Sequence, residues 1–229
     1  AGGAAARPFI THHNALDMDL YLRVAPELYL KKLIVGGLSE KIFEINRCFR
    51  NEGLSTRHNP EFTQMECYQA YADYTDMMDL LGNLINQIVV ALYGTDTIKF
   101  GEHDICFKAP FARKSMIDLI KEYAGVDFSK ITDIEEAKAV AVKMGCKVTG
   151  REKWGHFVEL VFAEKVEKKL VQPIHVIDLP KDISPLSKSH QTDARLVERF
   201  ETYINGWEIA NAFSELSDPQ DQYERFVEI

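Results

Sequence analysis

The chain has 229 residues, 46% of them hydrophobic and 27% charged, the make-up of an ordinary globular domain. Its formal net charge of −8 excludes a broad basic surface for nonspecific nucleic-acid binding, and no apolar run approaches the ~20 residues that a membrane span needs. The four cysteines, Cys48, Cys67, Cys106 and Cys146, have no C-x-x-C spacing, which predicts free thiols in a reducing compartment. The opening AGGAAARPFITHH carries neither the basic region nor the apolar block of a signal peptide, and its start without Met reads as a cut from a longer protein.

Residues 19–24 alternate as a strand, and APELYLKKLIVGG predicts a helix with Pro26 in its first turn and Gly36-Gly37 at its end. Lys41 to Glu52 alternates again. Phe43, Ile45 and Phe49 share one face, expected to be core, and Glu44, Asn46, Arg50 and Glu52 share the other. After the turn-rich GLSTRHNP, a second strand is expected from Glu61 to about Tyr71. One face of an antiparallel pair then carries Arg50, Glu52, Phe62, Glu66 and Tyr68 together.

DYTDMMDLLGNLINQIVVALYG is amphipathic, with Asp73 or Thr75 as cap and Gly94 as stop. Its predicted core stripe is Leu80, Leu81, Leu84, Ile85, Ile88 and Leu92. Residues 115–170 look mostly helical, over Ser115 to Tyr123, Asp133 to Met144 and Trp154 to Lys168, and their Lys/Glu content predicts an insertion or peripheral layer. QPIHVIDLP is a buried-type strand, and Asn205-Gly206 in RFETYINGWEIANAFSEL is the strongest hairpin signal of the chain. Antiparallel hairpins separated by long helical excursions predict an α+β fold rather than a doubly wound parallel sheet.

Arg50 is the first candidate for chemistry. A guanidinium fixed on a strand suits two-point binding of phosphate or carboxylate. Phe62 on the same face offers a stacking surface for a flat ring, with His58 and Asn59 in the loop where a polyphosphate tail could reach. The competing reading is a surface ion pair of Arg50 with Glu52 or Glu66. In the second hairpin a two-residue turn sets Tyr203 opposite Glu208 and Glu201 opposite Ala210. Glu201 and Glu208 then share a face at a spacing that suits a divalent cation such as Mg²⁺. Simple alternation puts Asn211, Phe213 and Glu215 on the opposite face, so a common site requires a bulge near Ile209 and Ala210. His12 and His13 follow a strand-like stretch without partners at metal-ligand spacing.

The segment FRNEGLSTRHNPEFTQMECYQAYADY resembles motif 2 of the class II aminoacyl-tRNA synthetases. Together with GGAAARPFITHHNALDMDLYLR, APELYLK, SPLSK and RFETYINGWEIANAFSEL, it is similar from end to end to the bacterial-type or organellar lysyl-tRNA synthetases. The resemblance implies an antiparallel sheet flanked by helices. It implies that residues 1–229 are part of a catalytic domain, without motif 1, motif 3 or the anticodon-binding domain. The implied activity is ATP-dependent formation of lysyl-adenylate from L-lysine and transfer to tRNA(Lys), in a cytoplasmic or organellar homodimer. A paralogue that lysylates a protein and a non-catalytic ligand-binding fragment are the alternatives. By the same resemblance Arg50 contacts the ATP α-phosphate and the amino-acid carboxylate, Glu52 the adenine amino group and His58 the terminal phosphates. Asn59 and Phe62 flank the adenine, and Glu201 and Glu208 hold Mg²⁺. Gly3 and Glu27 lie near the lysine α-amino group, and Glu66, Tyr68, Asn211, Phe213 and Glu215 form the rest of that pocket. An ammonium on an aliphatic stem fits an aromatic wall ending in carboxylates.

Overall fold

The computed structural model describes residues 6–56 and 58–227, and the chain divides into two compact units, Ala1–Tyr71 and Ala72–Ile229. The first unit begins with an antiparallel pair, β1 (Ile10–His13) and β2 (Met18–Tyr21), followed by helix α1 (Glu27–Val35). Pro26 caps α1 at its start, where a missing N–H is harmless, and Gly37 follows its end at φ 80. Strands β3 (Lys41–Phe49) and β4 (Glu61–Gln69) then pair antiparallel over nine matched positions without a bulge. Helix α1 packs on this hairpin, and Val24, Leu30 and Cys48 form the small buried centre.

The covered face of that hairpin is the polar one. Glu44, Phe62, Gln64, Glu66 and Tyr68 are half-buried, whereas Phe43 is 68% and Ile45 61% exposed. The expectation that Phe43 and Ile45 are core is therefore corrected. Alternation identified the two faces correctly, but α1 lies over the even-numbered face, and hydrophobicity alone does not say which face a neighbour covers.

The second unit opens with helix α2 (Tyr74–Tyr93). Asp73 accepts from the backbone N–H groups of Thr75 and Asp76, the Asp76 carboxylate accepts from Asp73 N, and Gly94 closes the helix at φ 73. Its buried line is Met78, Gly82 and Val89, offset from the predicted stripe; Leu80 is 45%, Ile88 48% and Leu92 72% exposed. Gly82 faces Phe111 and Ala109, where an added Cβ would sit in ordinary contact at 3.8–3.9 Å. A short hairpin follows, β5 (Thr97–Phe100) with β6 (His103–Cys106), which the sequence reading missed.

Strand β7 (Ala112–Ser115) leads into helices α3 (Met116–Ala124), α4 (Ile134–Lys143) and α5 (Trp154–Lys165), then β8 (Ile174–Pro180), β9 (Leu196–Ile204), β10 (Trp207–Phe213) and α6 (Pro219–Val227). Four of these strands form one sheet in the order β10-β9-β8-β7. Its pairs are antiparallel except β7–β8, which is parallel, a departure from the all-antiparallel expectation. The α3–α5 excursion is the crossover that a parallel neighbour requires. Those helices supply most of the larger core, including Ile120, Ala137, Trp154, Phe157 and Phe162, on faces that the Lys/Glu-rich composition of residues 115–170 hides, and Phe128 joins them from the α3–α4 connection.

The β9–β10 turn is anchored at its tip. Asn205 and Gly206 adopt φ 52 and 70, as a two-residue turn between twisted strands demands. Their N–H groups donate to the carbonyls of Val171 (2.9 Å) and Leu170 (2.8 Å).

Candidate active site

Each unit carries part of the predicted residue set. In the first, Glu44 stands opposite Glu66 and Cys48 opposite Phe62, and Arg50 N donates to Pro60 O at 2.8 Å, which extends the pairing past the last strand residue. Arg50 therefore shares the covered face with Phe62, Glu66 and Tyr68. Its guanidinium lies 5.1 Å from the Phe62 ring centroid, and Nε donates to Val24 O at 3.4 Å. Among the described residues Arg50 has no carboxylate partner, so the surface ion-pair reading fails. A planar cation held by a ring and a carbonyl, with donors left over, is suited to an anion.

Glu52 departs from the strand expectation. β3 ends at Phe49, and Asn51 N donates to Arg7 O at 2.8 Å, which draws the chain out of the hairpin before Glu52, an exposed loop residue. His58 and Asn59 help line a concavity of about 280 Å³ with Ser55, Thr56, Glu61 and Phe62. The Ser55 hydroxyl and His58 Nδ1 are 2.8 Å apart, which fixes the imidazole in the loop.

Glu66 is held on both oxygens, by Gln64 Nε2 at 2.6 Å and by the Tyr68 hydroxyl at 2.7 Å. Burial raises its carboxyl above the usual range, and the negative charge of Glu27 adds to that rise. Lys31 Nζ donates to Glu27 at 2.7 Å and sits 5.8 Å from the Tyr68 ring centroid. The face thus already accommodates a primary ammonium on an aliphatic stem between carboxylates and an aromatic ring. Gly3 lies outside the described residues.

In the second unit the register of β9–β10 shifts between Glu208 and Ala210. Tyr203 faces Glu208 as predicted, but Thr202 now faces Ala210 and Glu201 faces Asn211, so Glu201 does not stand opposite Ala210. The bulge that a common site required is present. It turns Asn211 and Phe213 onto the face of Glu201 and Glu208, and Glu215 follows in a bridge to Ser187.

Arg199 is the residue that the sequence reading missed. Its Nη2 donates to Glu201 Oε1 at 2.6 Å and its Nε to Asn211 Oδ1 at 2.8 Å. The other oxygen of Glu201 accepts from the Tyr203 hydroxyl at 2.8 Å. Period-two spacing from Glu201 was the available signal, since residues 199, 201 and 203 share a face. Desolvation first, then the Glu201 charge, pushes Glu208 up to about 7, and the same two causes raise Glu159 on α5.

The buried Glu201, paired with Arg199, and the exposed Glu208 on the same face present carboxylate oxygens of the kind a hard divalent cation prefers. Among the described residues no three His, Cys, Asp or Glu side chains gather as a metal site. His12 instead lies 3.0 Å from Asp19 and 3.3 Å from Asp17 on an exposed turn.

With the arginine beside an aromatic ring and the bulged acidic hairpin described, comparison with known proteins defines the class. Residues 1–229 match the family described as tRNA synthetases class II (D, K and N), and the chain belongs to that family. It is 56% identical over 227 residues to the lysine–tRNA ligase of Rhizobium etli and 55% identical to that of Sinorhizobium medicae. Over 226 residues it is 54% identical to the lysine–tRNA ligase of Bacillus cytotoxicus. Each alignment covers 99% of this chain but 45–46% of the relative, so the chain spans about half the length of the curated relatives it matches.

Proposed function

We propose that the chain is the part of a lysine–tRNA ligase that binds L-lysine and ATP, with Mg²⁺, and activates the amino acid as lysyl-adenylate for transfer to tRNA(Lys). The observation that carries the lysine reading is the Lys31 ammonium held by Glu27 beside Tyr68, on the face where Glu66 is half-buried and raised. A neutral or acidic substrate side chain would leave Glu66 without a substrate counter-charge in a partly dry site.

In this reading the lysine carboxylate attacks the α-phosphorus of ATP and pyrophosphate leaves. Arg50 neutralises charge at the reacting phosphate, and Phe62 and Asn59 hold the adenine beside it. Glu52 takes the adenine amino group and His58 the terminal phosphates. Glu27, Glu66, Tyr68, Asn211, Phe213 and Glu215 orient the amino acid, with Gly3 near its α-amino group. Glu201 and Glu208 would hold Mg²⁺, which supplies charge neutralisation on the phosphates. The whole protein is proposed to act as a homodimer in the cytoplasm, a reducing setting that suits four free thiols. No helix among the described residues is long and apolar enough to cross a membrane.

Isothermal titration of the chain with L-lysine, with and without Mg·ATP, tests the proposal, with Glu215→Gln as control. Saturable lysine binding that weakens at least ~10-fold in the variant is expected from loss of a charged partner. Lysine binding no tighter than that of alanine would sink it. Lysine-dependent pyrophosphate exchange then reports on activation itself.

A further inference from the structure

The mechanism above leaves Arg199, a largely buried cation, without a role. The Arg199 side chain is 15% exposed, and its donors divide between two edges of the guanidinium. The Nε–Nη2 edge donates to Asn211 Oδ1 at 2.8 Å and Glu201 Oε1 at 2.6 Å. Nη1 donates to Ile183 O at 2.9 Å and to the Ser184 hydroxyl at 3.0 Å. We infer that Arg199 is a positioning residue that couples the cation half of the site to the amino-acid half, because one rigid edge fixes both Glu201 and Asn211.

The geometry follows from the bulge. Without the register shift Asn211 would point to the other face of the sheet, out of reach of Arg199. With it, Asn211 stands opposite Glu201 and Phe213 opposite Arg199, so one planar group spans the strand pair. Backing from Ile183 and the almost fully buried Ser184 prevents the guanidinium from tilting toward one partner alone. A movement of the Glu201 carboxylate toward a cation must then shift the edge that orients the Asn211 amide, and the reverse holds for a ligand that engages Asn211. Such a link is reciprocal by thermodynamic necessity. A lysine in place of Arg199 keeps the charge but cannot hold two acceptors on one rigid edge.

The inference rests on the proposed lysine and nucleotide sites, and its test separates the two. The affinity for L-lysine is measured on the chain with and without saturating Mg²⁺ plus α,β-methylene-ATP, for the unaltered protein and for Arg199→Lys. The unaltered chain is expected to bind lysine at least ~5-fold tighter with the nucleotide present, within the usual range of coupling. Arg199→Lys is expected to bind both ligands with that factor reduced to near one. An unchanged factor in the variant overturns the positioning role while leaving the site assignment standing. Failure of the unaltered chain to bind either ligand overturns the site assignment and the coupling together. In case the variant does not fold, the unaltered chain labelled with ¹⁵N-arginine supplies a second readout. The Arg199 Nε–H resonance should move on adding lysine alone and on adding the magnesium–nucleotide analogue alone. A resonance that answers to only one ligand, or to neither, also overturns the inference.

Discussion

The two hairpins that carry the candidate site use opposite devices to face their side chains. β3–β4 keeps one register over nine pairs, so every even-numbered side chain of the two strands falls on one face without adjustment. β9–β10 breaks its register between Glu208 and Ala210, and only that break sets Asn211 and Phe213 beside Glu201. The regular hairpin can be read by counting residues in twos. The bulged one has a rule that changes half-way along a strand, and an extra residue there re-aims everything after it.

Shifting the residues that follow the bulge should give the largest effect. Insertion of one alanine between Ala210 and Asn211 sets the new residue opposite Glu201 and turns Asn211 and Phe213 to the far face. Lysine binding measured by titration is expected to fall more than ~100-fold, in keeping with loss of several oriented contacts, with the far-UV signal of the sheet retained. Retained lysine affinity would show that the register after the bulge does not aim the pocket. A smaller effect should come from the regular hairpin, where Glu66→Gln keeps the shape and the register but removes a charge. Lysine affinity should drop about 10-fold to 100-fold with nucleotide affinity unchanged, as for loss of a charged hydrogen-bond partner. An equal loss for both ligands would mean that Glu66 supports the hairpin instead of the amine.

The smallest effect concerns stability against pH. Glu208 is raised from 4.5 to about 7, so between those values the folded chain binds more protons than the unfolded one. Stability contributed at Glu208 is therefore present at low pH and is lost as pH rises through that window. Because Glu208 touches solvent, the fall should be on the order of 1 kcal/mol. Thermal unfolding from pH 5 to 8 should show a shallower decline in Glu208→Gln than in the unaltered chain. Identical slopes would place the proton elsewhere.

Local chemistry was the most legible part of this chain. The Asp73 cap, the Gly94 stop, the Asn205-Gly206 turn and the helix limits near Ser115 and Asp133 all depend on a few neighbouring residues, and the structure places them as read. What failed depended on distant partners. Nothing around Phe43 or Leu80 announces which face a remote element covers, and β7 finds its parallel partner only after some sixty residues, as Ala112 opposite Ile174 shows. Within the site, Arg50 and Phe62 came from alternation and from a strong resemblance. Arg199 lay two residues before Glu201 and was passed over because its work is done on other side chains.

The tip of the second hairpin has a further consequence. Asn205 and Gly206 hand their N–H groups to the carbonyls of Val171 and Leu170, and a Cβ at Gly206 would come within 3.1 Å of the Lys168 backbone. The turn is clamped like the end of a ruler, so distances along β9 and β10 are counted from a fixed zero. An added residue at the tip would have to break that clamp or slide both strands, and sliding either one would separate Arg199 from Asn211. Inserted length is therefore tolerable almost anywhere on this unit's surface sooner than at this two-residue turn.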